Sequence, residues 1–206
     1  MSSDRGRYQL KARAIRQEET RQRIVAATSK LHEEVGPART SVAEIARRAG
    51  VERLTVYNNF PDVRDLLGAC QAHFLASHPP PALGPDGTGR SQLTRLEEVL
   101  CDLYGWYRAN QSMERNVHRD RHLVRQLDEL MRDHADRAFV SAARGYARAL
   151  ATSQVRRKSI ERLVAVAMEF GTWDLLAVGG AGDGEIARLF AQAVGSAAGL
   201  RRTSGA

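Results

Sequence analysis

The sequence predicts an all-α protein of about nine helices, split into a small N-terminal and a larger C-terminal domain. Three observations carry this. Apolar residues recur at spacings of three and four in segment after segment, and strand-like alternation is absent. All six prolines fall by residue 85, so the remaining 121 residues can form long helices. A Pro/Gly run, HPPPALGPDGTGRS at 78–91, cannot continue a helix and reads as the link between domains 1–76 and 77–206.

Taken in order, Ile24, Ala27, Leu31 and Val35 form the stripe of a helix over 17–35, which Gly36-Pro37 breaks. Ser41 stands three residues before Glu44, a capping box that opens a helix over 42–49 with Val42, Ile45, Ala46 and Ala49 on one face. Gly50 ends it, since glycine tolerates the left-handed conformation of a sharp turn. A short helix over 53–59 follows, held by Val51, Val56 and Phe60 and leaving Arg53, Thr55, Tyr57, Asn58 and Asn59 outward. Pro61-Asp62 starts a helix over 62–76 lined by Leu66, Leu67, Cys70 and Phe74. Beyond the link, helices are expected over 92–110, 112–119, 121–151 and 154–178, and, after the GGAGDG turn, over 184–199.

The chain has 206 residues, 43% hydrophobic and 27% charged, an ordinary globular composition. No apolar run is long enough to cross a membrane, and the N-terminus lacks the apolar centre of a secretory signal. Cys70 and Cys101 are too few for a disulfide framework and read as reduced core thiols. The net charge is +7, and residues 1–25 hold seven Arg or Lys against three acids. That basic leader reads either as an arm following phosphates or the minor groove, or as a solubilising tail. Only three lysines occur, and a GC-rich genome accounts for the arginine excess.

Two short helices joined by a glycine turn, the second presenting hydrogen-bonding side chains, make a helix-turn-helix. In that arrangement the second helix enters the major groove. The stretch from Thr20 through Leu31, Thr40-Ser41, Ile45-Ala46, Ala49-Gly50-Val51, Thr55-Val56-Tyr57 and Phe60 resembles the TetR (tetracycline-repressor) family of bacterial transcriptional regulators, over residues 17–70. The chain departs from that pattern at three places. Glu52 stands where the family usually has Ser, Leu54 where it has a small residue, and Val63, with Arg64 next, where it often has Lys.

The resemblance implies a homodimeric regulator in the bacterial cytoplasm, binding a pseudo-palindromic double-stranded DNA operator and released by a small-molecule effector. A regulator without an effector, or an activator, is the alternative. Thr55 and Tyr57 match positions at the family's DNA surface. Thr40 and Ser41 are candidates for phosphate through a hydroxyl or the helix N-terminus. Arg53, Asn58 and Asn59 are candidates for base edges, Leu54 for a thymine methyl or for covering the turn, and Arg64 for phosphate.

Trp106, Tyr107, Met113, His118, Phe139, Met168, Phe170 and Trp173 are candidate walls of an effector cavity, with ordinary helix core as the plainer reading. The last two helices have wide apolar stripes with small residues. Ile160, Leu163, Val164, Ala167, Gly171, Ile186, Leu189, Phe190, Ala193 and Val194 are the candidate dimer interface. His118 and His122 have the spacing of a helical metal pair, but flanking arginines favour a solvated helix, so no metal or cofactor is expected. GGAGDG lacks the lysine and preceding strand of a phosphate loop, and no nucleophile elbow occurs, so no enzyme activity is expected.

Overall fold

The computed structural model describes residues 2–86 and 91–200, with side chains from Lys11 onward. Every regular element among them is helical. In order these are α1 (Ser2–Glu34), a 3-10 turn (Pro37–Arg39), α2 (Val42–Ala49), α3 (Arg53–Asn59), α4 (Val63–Ser77), α5 (Gln92–Ala109) and α6 (Gln111–Asp120). There follow α7 (Arg125–Met131), a π-helical turn (Arg132–Asp136), α8 (Arg137–Leu150), α9 (Gln154–Met168), α10 (Phe170–Val178) and α11 (Asp183–Ala198).

The chain forms two compact units. Met1–Pro79 and Arg115–Leu130 make the first, Pro80–Glu114 and Met131–Ala206 the second. The core of the first is built by Ile24, Leu31, Ile45, Ala46, Val56, Phe60 and Cys70, from α1 to α4. Burial pushes the Cys70 thiol up to about 12, as suits an inert core cysteine. Cys101 differs from expectation: it is exposed on α5, not a core thiol. Helix α1 is longer than its apolar stripe predicts. The basic leader read as an arm or tail is a helical extension, rich in the good helix formers Arg, Lys, Gln, Leu and Ala.

The second unit is built on α5, α8, α9, α10 and α11 around Leu96, Leu100, Tyr104, Tyr146, Ile160, Val164 and Trp173. The single helix expected over 154–178 is two. Glu169, at φ −68 and ψ 128, is extended and breaks it. The break leaves main-chain carbonyls without helical donors. Tyr104 Oη donates to the Ala167 carbonyl at 2.8 Å and Tyr107 Oη to the Met168 carbonyl at 2.6 Å. Two tyrosines one turn apart on α5 therefore satisfy acceptors that a helix end would otherwise bury unpaired.

Candidate nucleic-acid interface

The helix-turn-helix is built from caps. Ser41 Oγ accepts the Glu44 N–H at 3.2 Å, so α2 starts where the capping pattern places it. The Glu44 carboxylate faces Arg47 and Arg48 on the same helix, and the hydrogen bond from Arg47 holds its pKa below the usual carboxylate value. Gly50 ends α2 at φ 64, ψ 42, and the Val51 N–H closes back on the Ala46 carbonyl at 3.0 Å. Glu52 makes no side-chain cap on α3.

Two arginines of α1 close the C-terminal ends of these helices. Arg23 Nη1 donates to the Ala49 carbonyl at 3.2 Å, capping α2. Arg21 Nη1 donates to the Asn59 carbonyl at 2.8 Å, capping α3, and its guanidinium lies 4.0 Å from the centre of the Phe60 ring. Cations at helix C-termini satisfy orphan carbonyls and oppose the negative end of the helix dipole. Nothing in the local pattern points to these roles, because the partners lie 38 and 26 positions away.

Held this way, α3 turns Val56 inward and leaves a polar outer surface. Arg53, Leu54, Tyr57 and Asn58 are exposed, Tyr57 at 54%, and Thr55 and Asn59 are half-buried. Asn59 is less available than its position implies, since its Nδ2 donates to the Thr55 carbonyl at 2.8 Å. Thr40 is half-buried and spends its hydroxyl on the Gly36 carbonyl at 2.9 Å, while Ser41 is exposed at the start of α2.

Residues 24–70 match the model of a family described as bacterial regulatory proteins, tetR family. Uncharacterized HTH-type transcriptional regulators of Mycobacterium tuberculosis H37Rv and Mycobacterium bovis are each 39% identical over 83 residues, or 39% of this chain and 42% of theirs. Residues 24–70 are thus similar to the DNA-binding domain of TetR-family regulators. The match spans less than half the length of those curated relatives. A tetR-family transcriptional regulator from Streptomyces coelicolor, known from its crystal structure, shares the fold with a TM-score of 0.57 at 23% identity. That match covers 89% of this chain and 80% of that one.

The TetR-type domain is braced from a distance by residues 115–130. Asn116 Nδ2 donates to the carbonyls of His32 at 3.1 Å and Glu33 at 2.7 Å, and Arg119 Nη2 to that of Val35 at 3.0 Å. These bonds close the C-terminal end of α1. The buried Asp120 carboxylate accepts the Ala38 N–H at 2.9 Å and the Arg119 Nε–H at 2.7 Å. Burial alone would raise its pKa, but Arg119 and the Ala38 N–H outweigh that and hold it below the usual value. Gly36, at φ +92, sits directly against this pair, and a Cβ there would run into both side chains. Helix α6 ends at Asp120, so His118 and His122 do not share a helical face. No group of three His, Cys, Asp or Glu side chains able to hold a metal occurs among the described residues.

Arg64 differs from expectation. Its guanidinium is paired with Glu129 at 3.0 Å, so it does not stand free for phosphate.

In the second unit the candidate cavity walls are mostly one packed cluster. Tyr107, Met168, Phe170 and Trp173 are buried. Tyr107 meets Phe170 edge-on at 5.3 Å between ring centres, and Trp173 lies 5.7 Å from Tyr107 and 5.6 Å from Phe170. Trp106 packs on Tyr107 at 5.8 Å, Phe139 is half-buried against the same core, and Met113 is buried. His118 belongs to the first unit and not to this cluster. The Trp173 indole N–H donates to Asp183 at 2.9 Å, and Arg108 forms a two-pronged pair with the same carboxylate at 2.6 and 2.9 Å.

The candidate dimer residues separate by burial. Ile160, Val164, Ala167, Ile186 and Val194 are at most 1% exposed inside their own unit, so they have no surface to offer a partner. Both stripes are wide, and sequence periodicity cannot say which half faces inward. Leu163, Gly171, Leu189, Phe190 and Ala193 keep accessible surface. Leu175 and Val178, at 75% and 71%, share a face of α10 with Gly171.

Proposed function

We propose that the protein is a homodimeric, sequence-specific DNA-binding transcriptional repressor of the bacterial cytoplasm. The observation that carries this is α3, a short helix capped at its C-terminal end by Arg21, with Arg53, Thr55, Tyr57 and Asn58 outward over a base of packed helices. Such a helix fits the major groove. Arg53 is the guanine reader, Asn58 the adenine reader, and Tyr57 and Thr55 contact phosphate or base edges. Ser41 and the start of α2 meet the backbone, and Leu54 meets a thymine methyl. One such helix spans few base pairs, so a two-fold dimer reading half-sites about 34–36 Å apart is the working form.

The dimer surface is the exposed apolar face of α10 and α11: Gly171, Leu175, Val178, Leu189, Phe190 and Ala193. Exposed leucines and valines gathered on neighbouring helices favour burial against a second copy. Leu175→Glu together with Leu189→Glu should give a folded monomer by sedimentation. An unchanged dimer would reject this face.

Release by a small-molecule effector requires that the effector prefer a shape unable to fit both half-sites. One observation favours a second reading, a regulator without an effector. The aromatic residues that the sequence offers as cavity walls pack on one another and on main-chain carbonyls. Mapping bound fragments across the genome, then titrating salt at the best site, tests the DNA reading. A two-fold-symmetric site with tight binding supports it, and weak uniform binding abolished by salt rejects sequence reading. Operator affinity that no compound in a broad panel weakens selects the reading without an effector.

A further inference from the structure

The α8–α9 hairpin of the second unit carries a charge imbalance that its own fold does not use. Between residues 137 and 162 there are seven basic side chains and one acid, Glu161. Three of the seven have work within the chain. Arg137 reaches Asp133 at 3.4 Å, Arg156 Nη1 donates to the Ala198 carbonyl at 3.1 Å, and Arg157 Nε to the Ala151 carbonyl at 2.8 Å. The other four, Arg144, Arg148, Lys158 and Arg162, are exposed and form no ion pair among the described residues. Arginine abundance does not explain this pattern, because other arginines of the same unit are paired: Arg95 with Asp86 and Glu98, Arg108 with Asp183, Arg188 with Glu97.

Their placement is regular. Arg137, Ser141, Arg144 and Arg148 follow at intervals of four, three and four along α8, one stripe about 16 Å long. It lies opposite the buried Ala143, Tyr146 and Ala147. On α9, Lys158 and Arg162 are one turn apart and opposite the buried Ile160 and Val164. The two helices pack together, and each turns its cations away from the buried core.

We propose that these cations bind the phosphate backbone of duplex DNA independently of sequence, as a second contact besides α3. The inference rests on the DNA-binding reading above. Guanidinium groups suit phosphate, and a duplex presents about one negative charge per 1.7 Å of its axis. The occupant is a duplex for two reasons. No aromatic side chain is exposed on α8 or α9 to stack on the bases of a single strand. The large apolar side chains these helices leave exposed are three valines, Val140, Val155 and Val166, a poor membrane anchor beside the Trp, Phe and Leu of interfacial helices.

The test uses the full chain and a short mixed-sequence duplex, measuring affinity across a salt series. The variant Arg144→Gln, Arg148→Gln, Lys158→Gln, Arg162→Gln should lower the slope of log affinity against log salt by about 0.9 for each phosphate no longer neutralised, roughly 2 to 4 in all. Changing the three arginines to lysine should preserve it. Independently, a photo-crosslinker at Ser141 in an otherwise unaltered chain should attach to the duplex. An unchanged slope with no crosslink, in a chain that still binds DNA, overturns this inference and leaves the α3 reading standing. Absence of all duplex binding by the unaltered chain sinks both. Binding of anionic lipid vesicles through these residues, with the DNA slope unchanged, also overturns it.

Discussion

Arg64, in the first turn of α4, and Glu129, near the end of α7, form an ion pair at 3.0 Å. Glu129 is shared with Arg125 at 3.3 Å, and the Arg64 main-chain N–H donates to the Asp62 cap at 2.8 Å. A carboxylate thus holds a cation that follows α3, the helix proposed to enter the major groove. Glu129→Gln should tighten binding to mixed-sequence duplex several-fold and steepen its salt dependence by about one phosphate contact. Both groups are partly exposed, so thermal stability should move by less than about 1 kcal/mol. Unchanged DNA affinity in Glu129→Gln would show that Arg64 plays no part in binding.

Asp120 and Gly36 should be costly to change. Asp120→Ala leaves the Ala38 N–H without its acceptor and Arg119 without its carboxylate, a loss of about 1–3 kcal/mol. Gly36→Ala adds a strained backbone and a collision, at a cost of about 1–3 kcal/mol. Gly68, inside α4 with open space where a Cβ would go, is the control: Gly68→Ala should gain about 0.4–1 kcal/mol. Urea unfolding of the three variants checks this order.

His32 gives the first unit a pH dependence. Burial lowers its pKa from 6.5 to about 4, with Asp120 opposing the shift. The unfolded chain then takes up the proton first. The neutral, buried imidazole contributes its full stability above about pH 6.5, loses it as pH falls towards 4, and levels off below. The slope in that window should approach, at most, about 1.4 kcal/mol per pH unit. Thermal unfolding between pH 7 and 4 should show it, and His32→Gln should flatten the curve. Equal curves for both proteins would rule it out.

Tyr107→Phe should cost about 1–3 kcal/mol, because the buried Met168 carbonyl loses its donor at the α9–α10 break. Tyr104→Phe should do the same at Ala167. Neither should alter duplex binding measured on an isolated half-site. A large loss of stability with DNA affinity intact confirms a structural role, and a neutral effect would mean that water replaces the hydroxyl.

Much of the first unit was legible in the residues themselves. Ser41, Gly50 and the Val42–Ala49 stripe act through neighbours three or four positions away, so capping and periodicity are enough to place α2 and α3. Burial on the last helices was only half legible. Ile160 and Leu175 look alike in a wide apolar stripe, yet one is at the core and the other faces out.

What the sequence alone determined is the all-helical architecture, the turn at Gly50 and the outward polar residues of α3, all consequences of local backbone preference and 3.6-residue periodicity. Tertiary structure alone decided the break at Glu169, the capping of α2 and α3 by Arg23 and Arg21, and the return of residues 115–130 to brace α1. Each of these satisfies a main-chain carbonyl or N–H with a side chain dozens of positions away. A buried polar group must find a partner, but only the folded chain says which one is within about 3 Å.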